Sequence, residues 1–385
     1  MWLELSPQQQ ALREEVRTYF AQLMTPEVRH QLAHQDSSGG ELYRSLVKQL
    51  GADGWLGIGW PVEHGGQGRG PIEQLIFFDE ANRADVPLPL VTLNTVGPTL
   101  AACGSDEQRR RFLPGILAGE IHFAIGYSEP GAGTDLASLR TRAVRDGDEY
   151  VVNGQKLWAT GAGAKNTVMN VYLKTDREKS YREGMSLLLI DNDTPGVQLR
   201  KLDMLGRRCT GTYEVFFNDV RVPADRIVGG ENKGWDCVLS GLQIERVCSA
   251  AGSVGGASAA FDLALAYSKE RVQFGRPIGT NQSIAHTLAD LQTEIDAART
   301  LMWRAAWMVS EGQDALREIT MAKLFASEVY VKVANAGMQI FGGYGYSMEY
   351  DMQRHFRDSR SSTIAAGTSE MQRNVLAGLM GLKVR

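Results

Sequence analysis

The chain has 385 residues, of which 43% are hydrophobic and 22% charged, with 41 Lys+Arg against 45 Asp+Glu and a formal net charge of −4. These values are ordinary for a soluble globular protein and exclude disorder, collagen and coiled coil as its main character. A near-neutral balance leaves no electrostatic footprint for nucleic acid, and the dense basic run Arg109-Arg110-Arg111 reads as a solvated helix face among acidic neighbours.

No apolar stretch approaches the roughly 20 residues of a membrane span, so no span is expected. The segment Met1–Gln10 is mixed polar and lacks a signal-peptide pattern. Cys103, Cys209, Cys237 and Cys248 lie far apart with no CxxC pair, and the six histidines show no ligand spacing. The expectation is a cytoplasmic protein with reduced thiols, no disulfide framework and no metal.

The first third reads as helical. Ser6-Pro7 opens a helix as N-cap and first-turn proline, and Leu12, Val16, Tyr19, Phe20 and Leu23 recur at helical spacing. Further helices are expected near 41–50, 72–83 and 106–118, with a Gly/Pro-rich loop at 65–71. Strand-like runs then follow at 121–127, 150–158, 168–173, 186–190 and 213–222, with an Asn153-Gly154 turn signal inside the second. From Gly234 the pattern is helical again, in blocks near 234–270, 282–311, 314–341 and 351–380, which predicts an antiparallel bundle. The first block carries a small-residue stripe, Ser249–Ala260, that suits either tight helix packing or the approach of a flat ligand.

The expected organisation is therefore α+β and multidomain: a helical part over 1–120, a β-barrel-like middle over 121–230 and a four-helix bundle over 231–385. Helices, then strands, then helices exclude a doubly wound sheet, and no GxGxxG follows a strand.

Five segments carry unusual chemistry. Tyr127-Ser128-Glu129-Pro130-Gly131-Ala132-Gly133-Thr134-Asp135 offers hydroxyls and bare amides for a phosphate or a polar cofactor edge, and also reads as an ordinary turn. In Trp158-Ala159-Thr160, alternation puts Trp and Thr on one strand face, where they can stack on a ring system and bond its edge; a buried core Trp is the plainer reading. Arg271-Val272-Gln273-Phe274-Gly275 interrupts two helices with a cationic turn, and Arg271 suits a diphosphate. Gln339-Ile340-Phe341-Gly342-Gly343 is a Gly-rich helix end that also fits a simple C-cap. Ala366-Gly367-Thr368-Ser369-Glu370 introduces the last helix, at an end suited to anions.

In this order and with these gaps, the five segments resemble the acyl-CoA dehydrogenase family over nearly the whole chain. The resemblance implies non-covalent FAD, a homotetramer with each flavin near a subunit interface, α,β-dehydrogenation of an acyl-CoA thioester and an electron-transfer flavoprotein as acceptor. It implies FAD contacts at Tyr127, Ser128, Gly133, Thr134, Trp158, Thr160, Gln339, Gly342, Gly343, Thr368 and Glu370, and contacts to the FAD of a neighbouring subunit at Arg271, Gln273, Phe274 and Gln282. It implies substrate contacts at Thr134 and Arg246. Many members place the catalytic Glu just before Gly-Thr-Ser, but Ala366 stands there in this chain. A subset, including isovaleryl-CoA and long-chain enzymes, carries its base on the first bundle helix, and the matching residue is Glu245, followed by Arg246. The resemblance also implies that, as in the family at large, hydrogen bonds to the thioester oxygen from a flavin ribityl hydroxyl and a backbone amide stabilise the enolate. An oxidase or enoyl-CoA reductase on the same scaffold, and a non-catalytic subunit of a mixed oligomer, are the competing readings. A narrower resemblance, at Gly70–Gln74, Ala81–Gly97 and Tyr127–Asp148, is to bacterial enzymes of sterol side-chain catabolism.

Overall fold

The computed structural model describes residues 4–34 and 39–383. Residues 1–3 of the mixed-polar N-terminal segment lie outside them, as do the side chains at 239–244. The chain divides into two compact units. One comprises residues 1–30, 69–86 and 246–385, the other residues 31–68 and 87–245.

The helices before the first strand are α1 (Pro7–Leu23), α2 (Pro26–His34), α3 (Glu41–Ala52), α4 (Pro71–Arg83), α5 (Gly97–Cys103) and α6 (Asp106–Leu117). The start of α1 is a capping box: Gln9 N–H donates to Ser6 Oγ at 3.2 Å, and Ser6 N–H donates to Gln9 Oε1 at 3.0 Å. Its buried stripe is Leu12, Val16 and Phe20, and Phe20 meets Phe77 of α4 at 5.5 Å between ring centroids. α4 is buried on almost every side, including Asp79 and Glu80. Arg17 Nε reaches Glu80 at 2.8 Å, Arg13 reaches it at 3.3 Å, and Arg299 pairs with Asp79. Charges this deep persist because each acid has an arginine partner.

The strands are β1 (His122–Gly126), β2 (Arg142–Asp146), β3 (Glu149–Thr160), β4 (Thr167–Lys174), β5 (Met185–Asp191), β6 (Val197–Leu202), β7 (Thr212–Pro223) and β8 (Ile227–Val228), with a one-turn α7 (Tyr181–Gly184) before β5. They form one sheet in the order β6-β7-β3-β2-β4-β5-β8, with β1 running parallel to β4. The barrel-like expectation is corrected here. Among the described residues β6 pairs with β7 alone and the two-residue β8 with β5 alone, so the sheet is open at both ends. The Asn-Gly signal also reads differently: Asn153-Gly154 lies inside β3 as a bulge, where the register against β7 shifts between Val152 and Gly154. The actual β2–β3 hairpin turns at Gly147, whose φ is +62°. One face of the sheet buries Tyr150, Val152, Val171, Leu173, Val215 and Phe217.

The last part holds α8 (Gly234–Glu270), a small hairpin of β9 (Val272–Gln273) and β10 (Arg276–Pro277), then α9 (Gln282–Ser310), α10 (Leu316–Phe341), α11 (Met352–Ser362) and α12 (Ser369–Leu379). The expected fourth block is thus two helices. The break falls at Ala366 and Gly367, whose φ values of +54° and +86° no helix accommodates. The small-residue stripe of α8 packs helices together. A Cβ on Gly255 would lie 2.2 Å from the Asp79 carbonyl oxygen of α4, and one on Gly256 would lie 2.7 Å from the Tyr330 ring of α10.

Gly255→Ala should therefore destabilise the protein by about 1–3 kcal/mol through overpacking. Gly378→Ala on α12, where nothing lies within 4 Å, should be neutral or slightly stabilising. Urea midpoints compare the two, and equal midpoints would refute the close-packing account. A second expectation concerns acid. Burial, aided by Arg44 and Lys48 for His122 and by Arg354 for His355, lowers both imidazoles to about 4 from an ordinary value of 6.5. Between these values the unfolded chain binds more protons than the folded one. Stability should fall as pH drops from 6.5 towards 4, by up to about 1.4 kcal/mol per pH unit for each histidine. Denaturant titrations at pH 7.0, 6.0 and 5.0 on wild type and on His355→Gln test this, and a profile unchanged by the substitution would count against His355.

Candidate functional site

The Tyr127–Asp135 loop leaves the end of β1 and is clamped from beneath. Lys156 on β3 is completely buried, and its Nζ donates to Glu129 Oε1 at 2.8 Å and to the Tyr127 carbonyl at 3.1 Å. The Glu129 carboxylate also accepts the backbone N–H groups of Arg140 (2.6 Å) and Thr141 (2.9 Å). Glu129 and Ala132 exchange backbone hydrogen bonds of 2.8 and 3.1 Å, and Leu157 N–H donates to the Ser128 carbonyl at 2.8 Å. Burial by itself would push the Glu129 carboxyl up, but Lys156 and the amide donors outweigh it and hold it below the ordinary value. Burial lowers Lys156 to about 8, against the pull of Glu129, which leaves the pair ionised at neutral pH. So fixed, the loop exposes Gly133 and Thr134, and the space over Gly131 and Gly133 is open for 4 Å.

Next to this loop, β3 bulges again between Lys156 and Ala159. The bulge sends Lys156 inward and turns Trp158 out, with φ +63° and half of its surface (52%) exposed. Ala159 is buried, so Trp158 and Thr160 share the other face, as alternation predicts; Thr160 Oγ1 lies 3.1 Å from Thr212 Oγ1. The plainer reading of a buried core Trp does not hold.

Glu245 lies on α8, half-buried, with Oε2 withdrawn from solvent. Within its unit it is an electrostatic neighbour of the Tyr127 hydroxyl. Burial first, then Tyr172 and Glu245, hold that phenol well above the ordinary tyrosine value. The Tyr127 ring stacks on that of Tyr172 on β4, 4.5 Å between centroids and 23° between planes.

The other unit gathers a second group. Arg271, Gln273, Gly342 and Gly343 line one groove of about 620 Å³ with Tyr267, Phe341, Tyr344 and Tyr350. Tyr267 stacks on Phe341 at 4.2 Å, and the Arg271 guanidinium sits 5.4 Å over the Tyr344 ring. Phe274, at φ +50°, projects wholly into solvent from the β9–β10 turn. Gln282 and Gln339 are exposed and lie outside the groove lining. Thr368 is the N-cap of α12, its Oγ1 accepting the Met371 N–H at 3.1 Å, and Glu370 is exposed in the first turn. Buried Lys323 of α10 donates to the Gly367 carbonyl at 2.6 Å, and Arg246 Nη2 lies 3.8 Å from where a Gly367 Cβ would sit.

Sequence reasoning missed the Lys156–Glu129 pair and Lys323. The available signal was a lysine at an inward position of an alternating strand and another on the apolar face of a helix. Each unit by itself carries groups that fit part of FAD: in one, half-exposed Trp158 for a flat ring and open glycines and hydroxyls at the loop; in the other, a cation beside open Gly342 and Gly343 for a diphosphate. Among the described residues no group of three or more His, Cys, Asp or Glu is placed to hold a metal, and no helix is long and apolar enough to cross a membrane.

The descriptions of the acyl-CoA dehydrogenase N-terminal, middle and C-terminal domains match residues 6–120, 124–220 and 232–380. The acyl-CoA dehydrogenase FadE29 of Mycobacterium tuberculosis is 40% identical, the match covering 100% of this chain and 99% of that protein. A 3-(aryl)acrylate reductase of Clostridium sporogenes is 34% identical over 96% of this chain and 97% of that one. The solved structure described as the Tcur3481-Tcur3483 steroid ACAD superposes with a TM-score of 0.92 at 35% identity, covering 100% of both chains.

Lys156→Met leaves the Glu129 carboxylate buried without its cation and should cost about 3–5 kcal/mol of stability, with most of it recovered in Lys156→Met/Glu129→Leu. Flavin release in parallel with unfolding provides the readout. A single variant as stable as wild type would show that the pair does not hold the loop.

Proposed function

The chain belongs to the acyl-CoA dehydrogenase family, and we propose from that premise that Glu245 is the base that removes the α proton of the thioester. The protein is a FAD-dependent oxidoreductase acting on the CH–CH group of an acyl-CoA. FAD, when bound, supplies the acceptor for the β hydride. The protein's own residues hold the reacting carbons, exclude water and receive the proton.

The observation that carries the Glu245 assignment is its partial withdrawal from water beside Tyr127, on the loop that the Lys156–Glu129 pair fixes. The alternative position, Ala366, has no titratable group. Trp158 and Thr160 are the proposed flavin-ring contacts; Tyr127, Ser128, Gly133 and Thr134 its strand-end contacts. Arg271, Gln273, Phe274 and Gln282 are the proposed contacts to the FAD of a neighbouring subunit, Gln339, Gly342 and Gly343 those to the adenosine–diphosphate part, Thr368 and Glu370 those of the final helix to the cofactor, and Thr134 and Arg246 the substrate contacts. The matched spans support domain boundaries near 120 and 230.

An electron-transfer flavoprotein as acceptor, a homotetramer and a cytoplasmic location belong to the same reading. The acceptor is supported by a structural neighbour described as an electron transferring flavoprotein. The reductase among the relatives keeps the reverse direction in view. Bleaching of bound flavin by short, branched, long, aromatic and steroid acyl-CoAs, set against oxygen uptake and against enoyl-CoA reduction, separates these activities. The retained Glu245 and cofactor groove oppose a non-catalytic subunit, and the purified protein should be yellow with one flavin per chain.

Glu245→Gln should lower turnover by about 10²–10⁴-fold while FAD stays bound. Wild-type turnover in that variant would remove Glu245 from the mechanism.

A further inference from the structure

Cysteines 134 positions apart are brought together by the fold. Cys103 is the last residue of α5 and Cys237 lies in the first turn of α8, both within the unit that contains the sheet. They converge on Gly229, at the turn that follows β8. A Cβ on Gly229 would sit 2.9 Å from Cys237 Sγ and 3.6 Å from Cys103 Cβ. With φ +73°, Gly229 is the residue that permits this approach. Both cysteines are thiols, and their side chains hydrogen-bond to one another. Cys237 is buried and also contacts the Val228 carbonyl oxygen at 3.7 Å. Cys103 is half-exposed.

We propose that Cys103 and Cys237 form a redox-sensitive dithiol that a hydroperoxide closes to a disulfide. The asymmetry in access assigns the roles. Half-exposed Cys103 meets the oxidant, and buried Cys237, already in contact with it, resolves the product. The Cys103 thiolate attacks one peroxide oxygen; an S–O bond forms, the O–O bond breaks, and the other oxygen leaves as an alcohol, or as water from hydrogen peroxide. The Cys237 sulfur then attacks the sulfenic sulfur; the S–S bond forms, the S–O bond breaks, and the hydroxyl leaves as water with the thiol proton. Two thiols lose two electrons and the peroxide gains them. Cys209 and Cys248 are the internal controls, because neither converges on Gly229. The proposal goes beyond the dehydrogenase reading and does not depend on Glu245.

The experiment exposes the FAD-loaded protein to hydrogen peroxide, alkylates it under denaturing conditions and maps peptides without reduction. The expected result is a peptide pair joined through Cys103 and Cys237, lighter by two hydrogen atoms than the separate thiol peptides and reopened by dithiothreitol. Cys209 and Cys248 should remain alkylated. In Cys237→Ser, Cys103 should instead be trapped by a dione as the sulfenic acid, and in Cys103→Ser, Cys237 should stay a thiol. Wild-type protein decides the matter even if a variant fails to fold. Alkylation of both Cys103 and Cys237 after peroxide, sulfinic acid at Cys103 without a link, or random linkage among all four cysteines would each overturn the proposal.

Discussion

One buried ion pair organises the sheet end of the site. Lys156 and Glu129 are removed from water, which is unfavourable for each charge alone. Their contact, two backbone donors and one carbonyl satisfy the pair, and the Tyr127–Thr134 loop inherits its shape from that satisfaction. The open glycines above the loop then face outward on a rigid base. A loop this polar holds a fixed shape because its anchor lies inside the sheet.

Three of the eight non-glycine residues with positive φ among the described residues fall in segments that stood out as sequence. Trp158, Phe274 and Ala366 are non-glycine residues with positive φ, and each belongs to one of the segments singled out for chemistry. Such conformations cost about 1–3 kcal/mol and persist where surrounding contacts enforce them. At Trp158 the enforcing element is the bulge in β3. At Ala366 it is the break between α11 and α12, held by Lys323 and by Gln372, whose Nε2 donates to the Gly367 carbonyl at 3.1 Å.

Most helices were legible because their apolar residues recur at 3.6 spacing and their starts carry caps; α1 and α6 have complete capping boxes. The long strands were legible as apolar runs. β2 and β6 were not, because Arg142–Asp146 and Val197–Leu202 are charged strands with little buried surface. Sheet closure was misjudged because strand count and spacing carry no information about which edges pair. Local signals failed where tertiary structure overrode them: Asn153-Gly154 became a bulge, and Lys156 hid a charge that composition places outside. The cysteine pair was illegible for the same reason, since spacing along the chain says nothing about two residues joined by a turn at Gly229. The candidate site was legible as separate segments, and only the fold showed which of them share a groove.

The two bulges of β3 have a consequence for how this strand tolerates change. Side chains alternate with a period of two, so each extra residue reverses the faces of everything beyond it. The second bulge is what allows Lys156 to point into the sheet and Trp158 away from it within two positions. Shortening the strand by one residue in that interval would drive the indole into the interior or the ammonium into water. Over Val152–Ala159 natural variation should therefore change the number of residues hardly at all.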